Sequence, residues 1–220
     1  MNIYIVTEGI CEKKVYINWI PLINTKLVYV EKLPEIKNNN FIIYSGQGYP
    51  QYYDLIDGAI EDINNSGNID RLVICIDSEE LSYNEKYEEI SEYIKDKKCI
   101  AEIKIIIQFF CFETWALGNK KIGPHKPKTI IVKKYKEYFN VLDDDPELLP
   151  GYPPEKLNRS QFSNAYLRKL INEKGHFSYN KGNPNYVKHP NFYKEVKKRH
   201  IETKHIMSFK FFLEAFSCLE

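Results

Sequence analysis

Arg71-Leu72-Val73-Ile74-Cys75-Ile76, followed at once by Asp77-Ser78-Glu79-Glu80, is the stretch on which the fold reading turns. A run this apolar, without polar residues at alternate positions, is the pattern of a parallel strand covered on both faces. The turn cluster Asn64-Asn65-Ser66-Gly67-Asn68 precedes it. Downstream, Ser82 with Glu85 has the form of a capping box and opens a helix with the stripe Tyr83, Tyr87, Ile90 and Ile94. Ala101 to Phe110 then reads as another strand and Phe112 to Leu117 as a short helix. Working upstream, Phe41-Ile42-Ile43-Tyr44 is a strand closed by Ser45-Gly46-Gln47-Gly48, with Tyr53, Ile56, Ile60 and Ile63 at helical spacing after it. Leu27 to Val30 fits a short extra strand. Asn2 to Val6 is a strand that turns through Thr7-Glu8-Gly9 into a helix marked by Val15, Trp19, Leu22 and Ile23, with Pro21 ending or bending its last turn. Strands alternating with helices of this length predict an α/β fold: a mostly parallel sheet, right-handed crossovers and helices on both faces.

The chain has 220 residues, 43% of them hydrophobic and 28% charged, with a mean hydropathy of -0.46, enough to bury a substantial core. Its longest strongly apolar stretch, Ile105 to Phe112, is broken by Gln108 and falls short of the roughly 18 residues of a spanning helix. No export signal is legible before Glu8, so a cytoplasmic protein without a membrane anchor is expected. Cys11, Cys75, Cys99, Cys111 and Cys218 form no CxxC pair, and neither they nor the five histidines have metal-ligand spacing. Charge is unevenly distributed. Residues 1–119 hold 11 Lys+Arg against 19 Asp+Glu, net -8, whereas residues 120–220 hold 20 against 11, net +9. An acidic half able to hold cations beside a basic half able to hold a polyanion is the layout of a metal-dependent enzyme acting on nucleic acid, although acidic helices and basic loops also segregate without function.

In open parallel sheets, sites form at the carboxyl ends of strands. Here those ends carry Glu8, Gly46, Asp77 with Glu79, and Glu113. Crowded carboxylates raise one another's pKa unless a cation neutralises them. Mg²⁺ takes hard oxygen ligands and keeps several waters, so Glu8, Glu12, Asp77 and Glu79 suffice for one or two ions. Glu8 and Glu12 sit where a loop enters a helix, and Asp77 and Glu79, at i and i+2 of an extended segment, would point to the same side. Judged alone, Glu12 fits equally a first-turn carboxylate complementing a helix dipole, and Glu79 an exposed first turn. Asp77, directly behind a buried strand, has the least ordinary structural reason to be there.

Ile3-Tyr4-Ile5-Val6-Thr7-Glu8-Gly9-Ile10-Cys11-Glu12 resembles the strand followed by Glu-Gly-x-x-Glu of Toprim domains, and Val73-Ile74-Cys75-Ile76-Asp77-Ser78-Glu79 is similar to their Asp-x-Asp motif. Ser45-Gly46-Gln47-Gly48 stands where these domains carry a second strand-end glycine loop. The resemblance covers roughly residues 2–117 and implies a four-stranded parallel core that binds Mg²⁺, with Mn²⁺ able to substitute, and cuts phosphodiester bonds. Glu79 departs from the pattern by one methylene, which bears on whether one or two ions bind. Phe110-Cys111-Phe112-Glu113-Thr114-Trp115-Ala116-Leu117 resembles a segment of small stand-alone Toprim nucleases of the overcoming-lysogenization-defect type and their relatives in bacterial restriction and abortive-infection loci. That comparison implies a further acidic site residue, Glu113, for which a helix-terminal acid beside a core Trp115 is an equal reading. The segment from Tyr179-Asn180-Lys181-Gly182 onward is similar to the tail of these proteins, which makes Lys181 the candidate for neutralising phosphate charge.

The domain expectation is a Toprim-like catalytic core over 1–118 and a basic, mainly helical extension over 119–220 packed on it. Ser163 to Leu170, Phe192 to Lys198 and Ser208 to Phe216 look helical, while residues 120–136 hold seven lysines and no acid. Those lysines, with Lys194, Lys197, Lys198 and Arg199, are candidate backbone contacts to nucleic acid, and Tyr135 and Tyr138 candidate stacking platforms. The expected function is a Mg²⁺-dependent endonuclease hydrolysing or nicking DNA, an effector of antiphage defence by family resemblance. No P-loop is present, so ATP control would need a separate ATPase partner. The alternatives are a noncatalytic Toprim-like module that binds nucleic acid or a partner, and an RNA-processing nuclease.

Overall fold

The computed structural model describes residues 1–46, 48–175 and 177–217; Gln47 of the glycine loop, His176 and Cys218 lie outside the described residues. Two compact units result, one made of residues 1–76, 83–107 and the segment from Phe211 on, the other of residues 77–82 and 108–210.

The sheet contains β1 (Ile3–Thr7), β2 (Val28–Tyr29), β3 (Asn40–Ser45), β4 (Arg71–Asp77) and β5 (Glu102–Gln108). They run all-parallel in the order β2-β3-β1-β4-β5. There are thus five strands rather than the four implied for the core. The addition is β2, which pairs Val28 with Asn40 and Tyr29 with Phe41 at the rim of β3. β1 and β4 are buried along their whole length because each has a strand on either side and helices above and below. β5, at the margin, alternates exposed Glu102 and Lys104 with half-buried Ile103 and Ile105 before becoming buried.

Helix α1 (Ile10–Ile23) follows β1, α2 (Tyr52–Ser66) follows β3 and α3 (Tyr83–Ile94) follows β4. One layer of core joins Tyr4, Val6, Ile42, Leu72, Ile74 and Ile76 of the strands to Ile56, Ala59 and Ile63 of α2 and Ile90 of α3. The alternate strand residues Ile3, Ile5, Val73 and Cys75 are equally buried and face the other way, where the Tyr16 hydroxyl of α1 lies 3.6 Å from Cys75 Sγ. In α1 the buried stripe is Cys11, Val15, Tyr16, Trp19 and Ile20, one turn earlier than the apolar residues Leu22 and Ile23 suggest. Pro21 does not stop the helix, since near the C-terminus it deletes a single ladder bond. α2 ends at Gly67, whose φ of 66° gives the left-handed cap and lets its N–H reach Ile63 O at 3.0 Å. In α3 only Lys86 and Ile90 are buried. Tyr87 is exposed instead of forming part of the stripe, and the Lys86 ammonium is tolerated inside because it donates to Tyr52 Oη (2.8 Å) and Glu89 Oε1 (2.9 Å).

The second unit is built on α4 (Phe112–Ala116), α5 (Ile130–Tyr138), α6 (Arg159–Glu173) and α7 (Pro190–Thr203). α5 lies within the lysine-rich stretch and was not legible as a helix, because only Val132 and Tyr135 of it are buried. α6 starts on a capping box: Gln161 N donates to Asn158 Oδ1 (2.8 Å) and Asn158 N to Gln161 Oε1 (3.1 Å). Aromatic rings fill the interior, with Tyr135 edge-on to Phe162 at 4.9 Å and to Tyr152 at 5.0 Å. Arg199 is buried and donates to Val141 O (2.5 Å) and Asp144 O (2.6 Å). Burial draws its guanidinium pKa down to about 10, opposed by Asp145, Asp143 and Asp144. Nearby, Glu147 accepts from Ser208 N (2.9 Å) and from the Ser208 hydroxyl, which itself accepts from Trp115 Nε1 (2.6 Å).

α8 (Phe209–Phe216) ends the described chain. Phe212 packs on Tyr16 with centroids 4.5 Å apart. Arg71, buried at the start of β4, donates from Nη1 to Ala215 O (2.5 Å) and from Nε to Glu102 (2.8 Å).

Candidate metal centre at the strand ends

The strand order places the topological switch between β1 and β4: from β1 the chain moves outward through β2 and β3, then returns to β4 on the other side. At a switch point the connections leave in opposite directions and open a crevice beyond the carboxyl ends. Thr7 is paired with Cys75, so Glu8 leaves the end of β1 level with Ile76, one residue before Asp77 ends β4. Glu8 thus follows one strand and Asp77 with Glu79 the neighbouring one, carboxylates at adjacent strand ends.

Two glycines allow this end of the sheet to close up. Gly46 N donates to Thr7 O (2.9 Å) and Gly48 N to Glu8 O (3.3 Å), and a Cβ on Gly46 would stand 3.3 Å from Glu8 O. At Gly9 an added Cβ would meet Glu12 Oε2 at 2.9 Å, because the buried Glu12 side chain folds back over the glycine.

Glu79 arrives differently from the expected extended alternation. β4 ends at Asp77. Glu79 then adopts φ 54°, in the left-handed region, as does Phe110 with φ 67°. Their backbones are joined by Glu79 N donating to Phe110 O at 3.0 Å, and Ser78 is fixed by its N–H to Gln108 O (3.0 Å) and by accepting Phe110 N at Oγ (2.8 Å). A non-glycine residue in this region costs of order 1 kcal/mol, which surrounding bonds must offset. The turn, not the strand, delivers the Glu79 carboxylate.

Asp77 is buried and accepts from Phe112 N at 3.1 Å, the first residue of α4. Glu113 follows directly and is only 1% exposed. Its Oε1 accepts from Asn164 Nδ2 (2.7 Å) and Tyr179 Oη (2.9 Å), while Oε2 has no hydrogen bond and faces Lys181 Nζ at 3.9 Å. The Lys181 end of that pair is more than half exposed. Cys111 reads out the same surroundings: burial pushes its thiol well up, Glu113 and Asp77 push further, and Lys181 opposes. Asn164 is a site residue that no sequence signal marked, since an amide in mid-helix carries no pattern, and Tyr179 stood out only as the start of the segment quoted for Lys181.

Several candidate nucleic-acid contacts serve the protein itself. Arg199 is buried on backbone carbonyls, and Tyr135 is buried with its hydroxyl on Glu155 (2.9 Å). Neither can reach a phosphate or a base. Lys136 donates to His125 O at 2.9 Å. No helix among the described residues is long and apolar enough to cross a membrane. In comparisons with known proteins, no family model, no curated protein and no solved structure matches the chain.

Proposed function

We infer that this protein is a cytoplasmic, Mg²⁺-dependent, Toprim-like endonuclease that hydrolyses DNA phosphodiester bonds. The observation that carries the reading is the placement of Glu8 just beyond β1 and of Asp77 with Glu79 at the end of the neighbouring β4, at the switch point of the sheet. An all-oxygen donor set of this kind suits a hard divalent cation, and Glu113 Oε2, buried without a hydrogen bond, adds an acceptor oxygen beside Asp77. Glu8, Asp77 and Glu79 would hold the ion, with Glu12 held in reserve against Gly9. When bound, Mg²⁺ supplies Lewis-acid activation of water and offsets charge on the leaving oxygen. Glu8, placed where β1 turns into α1, would exchange a proton with the leaving 3′ or 5′ oxygen. Lys181 neutralises the scissile phosphate, and Glu113 positions it through the pair described above, being itself oriented by Asn164 and Tyr179.

Calorimetric titration of Mg²⁺ and Mn²⁺ into the wild type, Glu8→Ala and Asp77→Ala is the direct test, paired with nicking of supercoiled plasmid in Mg²⁺ against a chelator. Binding that both substitutions abolish, together with metal-dependent nicking, is expected. Metal binding indifferent to both substitutions would remove the basis of the reading.

A further inference from the structure

A second recessed region lies wholly within the helical unit. It is a cleft of about 690 Å³ between the start of α7 and the segment that leads into it, lined among others by Asn119, Lys121, Phe177, Asn185 and Tyr186. That volume falls within the range of small-molecule sites, about 300–1,000 Å³. Its walls are of two kinds. Phe177 and Tyr186 stack with centroids 4.3 Å apart and planes 22° from parallel, and the edge of the system is closed by Phe192, T-shaped to Tyr186 at 5.3 Å. Phe177 is nonetheless 48% exposed, which leaves ring surface on which another flat group can stack.

Amides and cations make up the remainder. Asn119 is only 2% exposed and uses its Oδ1 to accept Lys121 N at 2.8 Å. Its Nδ2 donates to no other described residue. Asn185 and Asn191 add exposed side-chain amides. Lys121 pairs with Glu195, and Lys174 donates to Tyr186 Oη at 3.1 Å, so both ammonium groups are already held at the cleft wall. A stacked ring pair with an uncovered face, amides that can both donate and accept, and a fixed ammonium form a matched set. They fit a planar heterocycle with mixed donors and acceptors on its edge and an anionic substituent.

We propose that this cleft binds one unpaired nucleotide, its base stacked on Phe177, its edge read by the asparagine amides and its phosphate facing Lys121. The chemistry is shared by a free mononucleotide and by a nucleotide at the end of a single strand. The cleft uses none of the strand-end carboxylates, so it stands or falls apart from the nuclease reading.

The test is fluorescence or calorimetric titration in chelator, on the full chain, with AMP and dAMP, with a short oligo-dA, and with inorganic phosphate as a control. Phe177→Ala and Lys121→Ala change exposed side chains and leave the fold intact, which circular dichroism verifies. Binding of the mononucleotides identifies the free-nucleotide source, and binding of the oligonucleotide alone identifies the strand source. In either case Phe177→Ala should weaken affinity about 10-fold or more, the usual worth of a base stacked on an aromatic ring, and Lys121→Ala should weaken it at low salt more than at high salt. Titration with phosphate alone should saturate far more weakly than the nucleotides. The proposal is overturned if neither probe binds, if phosphate alone binds as tightly as the nucleotides, or if Phe177→Ala binds as the wild type does.

Discussion

Around β1 and β4 the interior is mostly aliphatic, layers of Ile, Val and Leu, with charge buried at its margins in Glu12, Arg71 and Lys86. In the second unit the interior is richer in rings and charge: Tyr135, Tyr152, Phe162 and Tyr166 cluster beside aliphatic residues such as Leu167 and Leu170, and Arg199, Glu113 and Glu147 are buried outright. The first arrangement is tolerant, since dispersion contacts are many, weak and non-directional. The second is directional, and each buried polar group depends on named partners, so losing one partner exposes the full desolvation cost of the other.

The largest effect expected from this contrast is Arg199→Ala. Withdrawing the guanidinium strands the carbonyls of Val141 and Asp144 inside, and urea unfolding should show a loss of roughly 3–5 kcal/mol. A loss below about 1 kcal/mol would mean that water replaces the arginine and that the directional account is wrong.

Next in size is a pH effect at Glu147. Burial pushes its pKa up to about 7, opposed by its bonds from Ser208. A carboxyl whose folded-state pKa lies above the unfolded value of 4.5 contributes stability that is fully present below that value and lost as pH rises through about 7. The wild type should therefore lose up to ~3 kcal/mol relative to Glu147→Gln between pH 4.5 and 8, measured as the difference between their pH-stability curves. Parallel curves would remove Glu147 as the titrating group.

The smallest effect belongs to the aliphatic layer. Ile74→Val, in the middle of β4, should cost about 1 kcal/mol, with no dependence on pH. A cost equal to that of Arg199→Ala would erase the distinction between the two interiors.

The same distinction explains what could be read from the sequence. Arg71 to Ile76 and Ile3 to Val6 announce themselves because a strand buried on both faces leaves no polar residue in its run. Glu8 and Asp77 were legible because each stands at the carboxyl end of a strand buried along its whole length, β1 or β4. Glu79 was legible by identity but not by conformation, since the left-handed turn is imposed by its bond to Phe110 in another strand's exit. α5 was hidden because two buried residues, Val132 and Tyr135, are too few to set a period. Tyr87 was assigned to a core that Lys86 occupies instead, because a lysine's burial depends on Tyr52 and Glu89, which lie elsewhere in the chain. Asn164 and Tyr179 act on Glu113 from 51 and 66 residues away, and no local pattern encodes such a reach.

The seat of Phe212 and Ala215 against Tyr16 and Arg71 has a consequence for synthesis. α1 covers part of this sheet face early in synthesis, but the Tyr16 ring and the Arg71 guanidinium wait for residues 212–215 to emerge. Until then the nascent chain carries a tyrosine and an arginine without these partners, a surface that a chaperone can hold.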